Sequence, residues 1–187
     1  IACNTATAAA AEAIRAAIDV PVVALEPGVK PAVALSRSGV IGVLATTRTL
    51  ERERFQRLVG NHANGHRVIA PPCPGLAEAI EAEGPDSVAV AGLLDIFVAP
   101  LAAAAADVVV LGCTHYPCVS AAIARRMPAG TVLLDTGEPV ARQLERLLAA
   151  GNLLGGGEGR LTAATSGAPA SVTATVDRIF GQKLKIE

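Results

Sequence analysis

Short continuous apolar runs alternate with segments in which apolar residues return every three or four positions, and the alternation repeats along the chain. The β-branched and leucine-rich runs predict strands at Val20–Leu25, Val40–Ala45, Arg67–Ala70, Asp107–Leu111 and Thr131–Leu134, with a weak one near Leu161–Thr165. The helical period predicts helices over Thr7–Ile18, Thr49–Val59, Gly75–Glu83, Ser87–Ala105, Cys118–Arg126, Pro139–Ala149 and Ala170–Phe180. Strands that alternate with helices belong to βαβ units, so the expected class is α/β, with mostly parallel sheets flanked by helices. Such sheets bind ligands at the carboxyl ends of their strands. Cys3, Glu26, Thr46, Cys113 and Asp135 all fall at those ends, which predicts that they collect along one rim.

Composition narrows the function classes. The 187 residues are 51% apolar and 2% aromatic, with a formal net charge of -1 and no long run of one sign. A nucleic-acid footprint and aromatic platforms for bases are both missing, so no nucleic-acid partner is expected. The longest apolar stretch, around residues 88–106, is broken by Gly92, Asp95 and Pro100, so no membrane span is expected either. Four cysteines without a dense framework suit a reducing compartment, and the expected location is the cytoplasm. Only three lysines occur, Lys30, Lys183 and Lys185, and none lies in a phosphate-binding context, which argues against a pyridoxal Schiff base. Gly155-Gly156-Gly157 is a connector, since no Gly-Lys-Ser/Thr follows it.

Two segments share one design. Ile1-Ala2-Cys3-Asn4-Thr5 and Val110-Leu111-Gly112-Cys113-Thr114-His115 each end an apolar run on a cysteine, add small polar residues, and lead into a predicted helix. A thiol in such a turn lies near helix N-terminal amides that favour the thiolate. Either cysteine alone reads equally well as a small buried residue; the matched pair points to a site that takes a proton on one side and returns it on the other. Cys73, before Pro74, and Cys118, inside a predicted helix, read as packing residues. The spacing of Cys113, His115 and Cys118 is not that of a zinc knuckle, so no metal is expected. His115 is either a satisfied structural histidine or a relay for the thiol proton. His62 and His66 flank the polar turn Asn64-Gly65 and read as solvated. Thr46, Thr47 and Thr49 either cap a helix or seat a carboxylate on its free amides. Turn chemistry explains Pro27 and Gly28 but not Glu26. Glu81 is either a solvated acid or a site residue. Asp135-Thr136-Gly137 lacks the β-rich context of an aspartic protease and reads as a turn and cap. The chain opens on Ile1, and Cys3 should close a strand of which two residues are present, so a missing N-terminal portion is expected.

These strings carry a resemblance. Ala2-Cys3-Asn4-Thr5-Ala6-Thr7, Glu26-Pro27-Gly28, Ile41-Gly42-Val43-Leu44-Ala45-Thr46, Cys73-Pro74 with Glu81, Leu111-Gly112-Cys113-Thr114-His115-Tyr116-Pro117, Asp135-Thr136-Gly137-Glu138 and Thr165-Ser166-Gly167 occur in the order found in the glutamate racemases, which the chain resembles nearly end to end. The resemblance implies cofactor-independent conversion of L-glutamate to D-glutamate for peptidoglycan. Cys3 and Cys113 would be the acid/base pair, with His115 assisting Cys113. Asn4, Thr5 and Thr114 would bind substrate, with Thr46 and Thr49 lining the pocket and Glu81 in its outer shell. It also implies two similar lobes around a cleft. Residues 1–28 and 136–187 would be the remainder of the first lobe, and 29–135 the second, inserted lobe. Many relatives are homodimers, and some respond to a peptidoglycan precursor. The family's Asp-Ser-Gly-x-Gly-Gly and Pro-Tyr-Gly segments, which come before its first cysteine, do not occur in this sequence, and Arg48 and Arg52 stand where many relatives have Gly and Ser. The alternatives are an aspartate or broader amino-acid racemase, or a non-catalytic binding or regulatory protein.

Overall fold

Runs of valine and isoleucine with no polar face need cover on both sides, and this dictates the centre of the molecule. The computed structural model describes residues 1–158, 161–181 and 184–187; Lys183 of the lysine count lies outside the described residues. Four strands, β1 (Val40–Leu44), β2 (Arg67–Ile69), β3 (Val108–Leu111) and β4 (Val132–Leu134), form a parallel sheet in the order β2-β1-β3-β4. Leu44 pairs with Leu111 at the carboxyl ends of the two central strands.

The helices are α1 (Asn4–Ala17), α2 (Val29–Leu35), α3 (Thr47–Leu50), α4 (Glu53–His62), α5 (Leu76–Glu83), α6 (Val88–Ala103), α7 (Ser120–Ala124), α8 (Gly137–Ala150) and α9 (Pro169–Phe180). They divide between two faces. Leu76, Ile80, Val90, Leu94, Val98 and Leu101 of α5 and α6 pack with Leu44, Val109 and Leu111. Val29, Ala32, Leu50 and Phe55 pack with Ile41, Val43, Val108 and Val110 on the other face. Each fully buried aliphatic side chain contributes roughly 1.5–3 kcal/mol. Gly42 allows the α6 contact, because a Cβ there would lie 2.5 Å from Leu101 Cδ2. At the opposite end of the sheet from the strand carboxyl ends, Asp107 accepts from Ser36 Oγ (2.6 Å) and from the Arg37 and Ser38 amides. Burial works against its ionisation, but these bonds prevail and hold the carboxyl well below the usual range.

The four central strands form as expected, and so does the bulk of every predicted helix. Val20–Leu25 does not become a strand. It is extended, but among the described residues its backbone pairs with Ile1, whose amino group donates to the Val23 carbonyl (2.5 Å) and whose carbonyl accepts from Leu25 (3.0 Å). A strand is defined by its neighbours, and two residues do not make a ladder. The weak strand at Leu161–Thr165 reduces to one bridge, Ala163 to Ile186. The expected helix at Thr49–Val59 is broken into α3 and α4 by Arg52, which is extended (φ -75°, ψ 136°). The expected helix at Cys118–Arg126 opens as a 3-10 turn, Tyr116–Val119, before the short α7. Helix α2 was not foreseen; its Pro31 falls in the first turn, where a missing amide costs nothing. Among the described residues no helix is long and apolar enough to cross a membrane.

Candidate active site

Cys3 is the N-cap of α1. Its backbone is extended (φ -153°, ψ 123°) and its Sγ accepts from the Ala6 amide at 3.5 Å. Helix α1 therefore starts at Asn4, three residues earlier than its apolar periodicity indicates, because a sulfur atom does the work usually given to a hydroxyl. The thiol is half-buried.

Cys113 is held differently. Gly112 must be glycine, since a Cβ there would lie 2.9 Å from the Leu44 carbonyl and 3.1 Å from Ala45 Cβ. That closeness lets the Gly112 amide donate to Leu44 O at 2.7 Å, which locks the turn after β3 to the turn after β1. Cys113 is then followed by the 3-10 turn and not by a long helix, so the expected dipole of a helix start is weak here. Burial dominates instead and pushes the thiol up to about 11; the His115 amide opposes this, while Cys3, Glu78 and Glu81 add to it.

His115 faces Cys113, with Nδ1 3.6 Å from Sγ. Its other ring nitrogen, Nε2, lies 2.5 Å from Glu81 Oε1. A carboxylate only accepts, so the Glu81 contact places a proton on Nε2 and leaves Nδ1 to exchange one with the sulfur. Glu81 belongs to this site and is not a bystander on a solvated face.

The two turns open onto one cleft of about 260 Å³, lined by Cys3, Asn4, Thr5, Thr46, Ala77, Glu78, Glu81, Gly112, Cys113, Thr114 and His115. Three hydroxyls beside it form a ring: Thr5 to Thr46 (3.1 Å), Thr5 to Thr49 (3.0 Å) and Thr46 to Thr49 (3.0 Å). Thr46 also caps α3, accepting from the Thr49 amide at 3.3 Å. Thr5 and Thr46 line the cleft, while Thr49 is the buried member of the ring and does not, and the third hydroxyl comes from Thr5 where Thr47 was expected. Asn4 is 4% exposed, and its amide oxygen and nitrogen find no hydrogen-bond partner among the described residues. A buried amide left unpaired costs about 1–3 kcal/mol, so its place on the cleft wall favours a polar ligand.

Two members of the expected rim, Glu26 and Asp135, do not line this cleft, although Asp135 does follow the carboxyl end of β4. Glu26 accepts from Arg54 Nε at 2.7 Å, and the same guanidinium reaches Glu12 at 3.1 Å, so its acid ties α4 to the segment before α2 and to α1. Asp135 accepts from the Gly137 amide at 3.0 Å and starts α8; Thr136 makes no side-chain cap. Cys73 is core, its thiol pushed up to about 12 by burial, and Cys118 is half-buried with its thiol raised by the same cause. His62 and His66 are half-buried rather than fully solvated, and His66 Nδ1 lies 3.0 Å from the Ala63 carbonyl. Arg48 is exposed and does not crowd the threonine turn. Glu78 and Ala77 were missed. Glu78 stands one helical turn before Glu81, and that spacing was the signal available. Among the described residues no group of three or more His, Cys, Asp or Glu side chains is assembled to hold a metal ion.

A parallel α/β sheet with one cysteine after a central strand, and a second at a helix start across the same cleft, is the arrangement to be compared with known proteins. The sequence profile of the Asp/Glu/Hydantoin racemase family matches residues 1–144, and the chain belongs to that family. It is 46% identical over its whole length to a glutamate racemase of Pseudomonas entomophila, of which it spans 71%, and 50% identical over 86% of its length to one of Pseudomonas putida, of which it spans 61%. Among solved structures it is similar to glutamate racemase isoform RacE1 of Bacillus anthracis (TM-score 0.88, 26% identity, all of this chain and 71% of that one). It is also similar to the Escherichia coli glutamate racemase in complex with L-glutamate and the activator UDP-MurNAc-Ala (TM-score 0.81, 27% identity, again all of this chain and 71% of that one).

Proposed function

We propose that this chain racemises glutamate without a cofactor, by a two-base mechanism at Cys3 and Cys113. The single observation that carries the reading is that both sulfurs border one cleft, with His115 on its wall 3.6 Å from one of them. The names of its relatives supply the substrate.

The α-proton of an amino acid is a very weak acid, so its removal needs a base already in place and water excluded. One sulfur, as thiolate, takes the proton from one face of the α-carbon while the other, as thiol, delivers a proton to the opposite face. The C–H bond on the first face breaks, a C–H bond on the second forms, and the cysteines finish with their protonation states exchanged. Cys113 needs help to reach the thiolate, because its surroundings favour the neutral form. His115 Nδ1 accepts the thiol proton and returns it, while Glu81 steadies the resulting imidazolium. Asn4, Thr5 and Thr114, with Thr46 beside them, bind the charged groups of the substrate, and Thr49 acts through the hydroxyl ring. In this reading residues 1–28 and 136–187 belong to one lobe and 29–135 to another. The enzyme works in the cytoplasm, as a homodimer, supplying D-glutamate for peptidoglycan and answering to a precursor like the activator bound by the E. coli relative.

Loss of circular dichroism from D-glutamate, with α-proton exchange in deuterated water, tests the activity. Cys3→Ser and Cys113→Ser should each lower turnover by about a thousandfold. Full activity in either variant removes that cysteine from the mechanism, and faster turnover of aspartate than of glutamate overturns the substrate.

A further inference from the structure

Arg178 lies 97 residues from Glu81 in sequence, yet its guanidinium donates to the Glu81 backbone carbonyl. That carbonyl is one of those the last turn of α5 leaves without a helical partner; the Ile80 carbonyl beside it is taken by the Gly84 amide. The contact is built along its length. Gly84 ends α5 at φ +93°, and the Arg178 stem passes where a side chain at residue 84 would be, 3.6 Å from the position of its Cβ. The next residue, Ile179, packs against the core cluster that contains Cys113, which keeps the end of α9 in place. A cation at a helix C-terminus also meets the negative end of the helix dipole.

We propose that Arg178 is a positioning residue for the Cys113 half of the site. It clamps the last turn of α5, so that the Glu81 carboxylate stays on His115 Nε2 and His115 stays on the Cys113 sulfur. The path is continuous: Arg178 to the Glu81 carbonyl, Glu81 Oε1 to His115 at 2.5 Å, His115 to Cys113 Sγ at 3.6 Å. Among the described residues no corresponding path reaches Cys3, whose sulfur is served by the Ala6 amide of its own helix. The C-terminal helix therefore acts on one thiol of the pair, and its catalytic consequence rests on the racemase reading given above.

Alkylation of each cysteine by iodoacetamide at pH 8, resolved by peptide mass spectrometry, requires no turnover and so separates the clamp from the activity. Arg178→Ala should slow Cys113 about fivefold and leave Cys3 within about twofold, with Arg178→Lys restoring Cys113. In a Glu81→Ala background, where the carboxylate is already gone, Arg178→Ala should change Cys113 no further. An unchanged or faster Cys113 in Arg178→Ala, an equal slowing of Cys3, or a full additional loss on top of Glu81→Ala overturns the proposal. In turnover, Arg178→Ala should lower kcat about fivefold at nearly constant KM, with recovery in the lysine variant. A parent protein that shows the alkylation pattern and does not racemise glutamate upholds the clamp and sinks the racemase reading.

Discussion

The turn that carries Cys3 leads into a long helix: Ile1 pairs with Val23 and Leu25, and the sulfur accepts from the Ala6 amide of that helix. The turn that carries Cys113 follows central strand β3, anchored by Gly112 on Leu44 and buried in the cluster that includes α5. Two cysteines on one cleft are held in different ways. Cys3 is half-buried at a helix start, while Cys113 is kept neutral by burial, with His115 and Glu81 in line behind it.

The strongest test of that contrast is chemical labelling. At pH 8 a thiol pushed up to about 11 is ionised in roughly one molecule in a thousand, and Cys113 is buried where Cys3 is only half-buried, so iodoacetamide should reach and modify Cys3 at least tenfold faster. The Cys113 rate should go on rising about tenfold per pH unit to near pH 10, and a plateau near pH 8 would refute the burial argument. Replacing Gly112 by alanine comes next. The new Cβ meets a backbone carbonyl that has nowhere to go, so urea unfolding should reveal a loss of about 2 kcal/mol, whereas Ala6→Gly beside the Cys3 turn should cost about 1.

Alkaline pH probes the same burial. The folded-state values of Cys113 and Cys73 are both raised above the unfolded value of 9.0, so the folded form binds the extra protons. Stability should therefore hold up to about pH 9 and fall as pH rises toward about 11–12, visible as a falling urea midpoint. Cys73→Ala should blunt that slope, and Cys3→Ala should leave it alone. The smallest expected change is Thr5→Val, which opens the hydroxyl ring on the Cys3 side at a cost of about 1 kcal/mol by the same measurement.

Both cysteines, His115 and the threonines were legible in the sequence because each sits in a short segment at the end of an apolar run. The central strands were legible for the same local reason. What stayed hidden depends on distance along the chain. The choice of Thr5 over Thr47 for the ring is made by a contact 44 residues long, and Arg178 declares nothing locally about Glu81. Helix α2 is seven residues long, too short for a helical period to declare itself. Val20–Leu25 misled in the other direction, since β-branched residues announce an extended chain but not the neighbours that would make it a strand.

The circle of hydroxyls has one more implication. Each oxygen can give or receive a hydrogen, so the three can point around the loop clockwise or anticlockwise with no movement of heavy atoms. Reversing it asks nothing of α1 or α3, so the two helices can stay fixed while the hydrogens between them reorient.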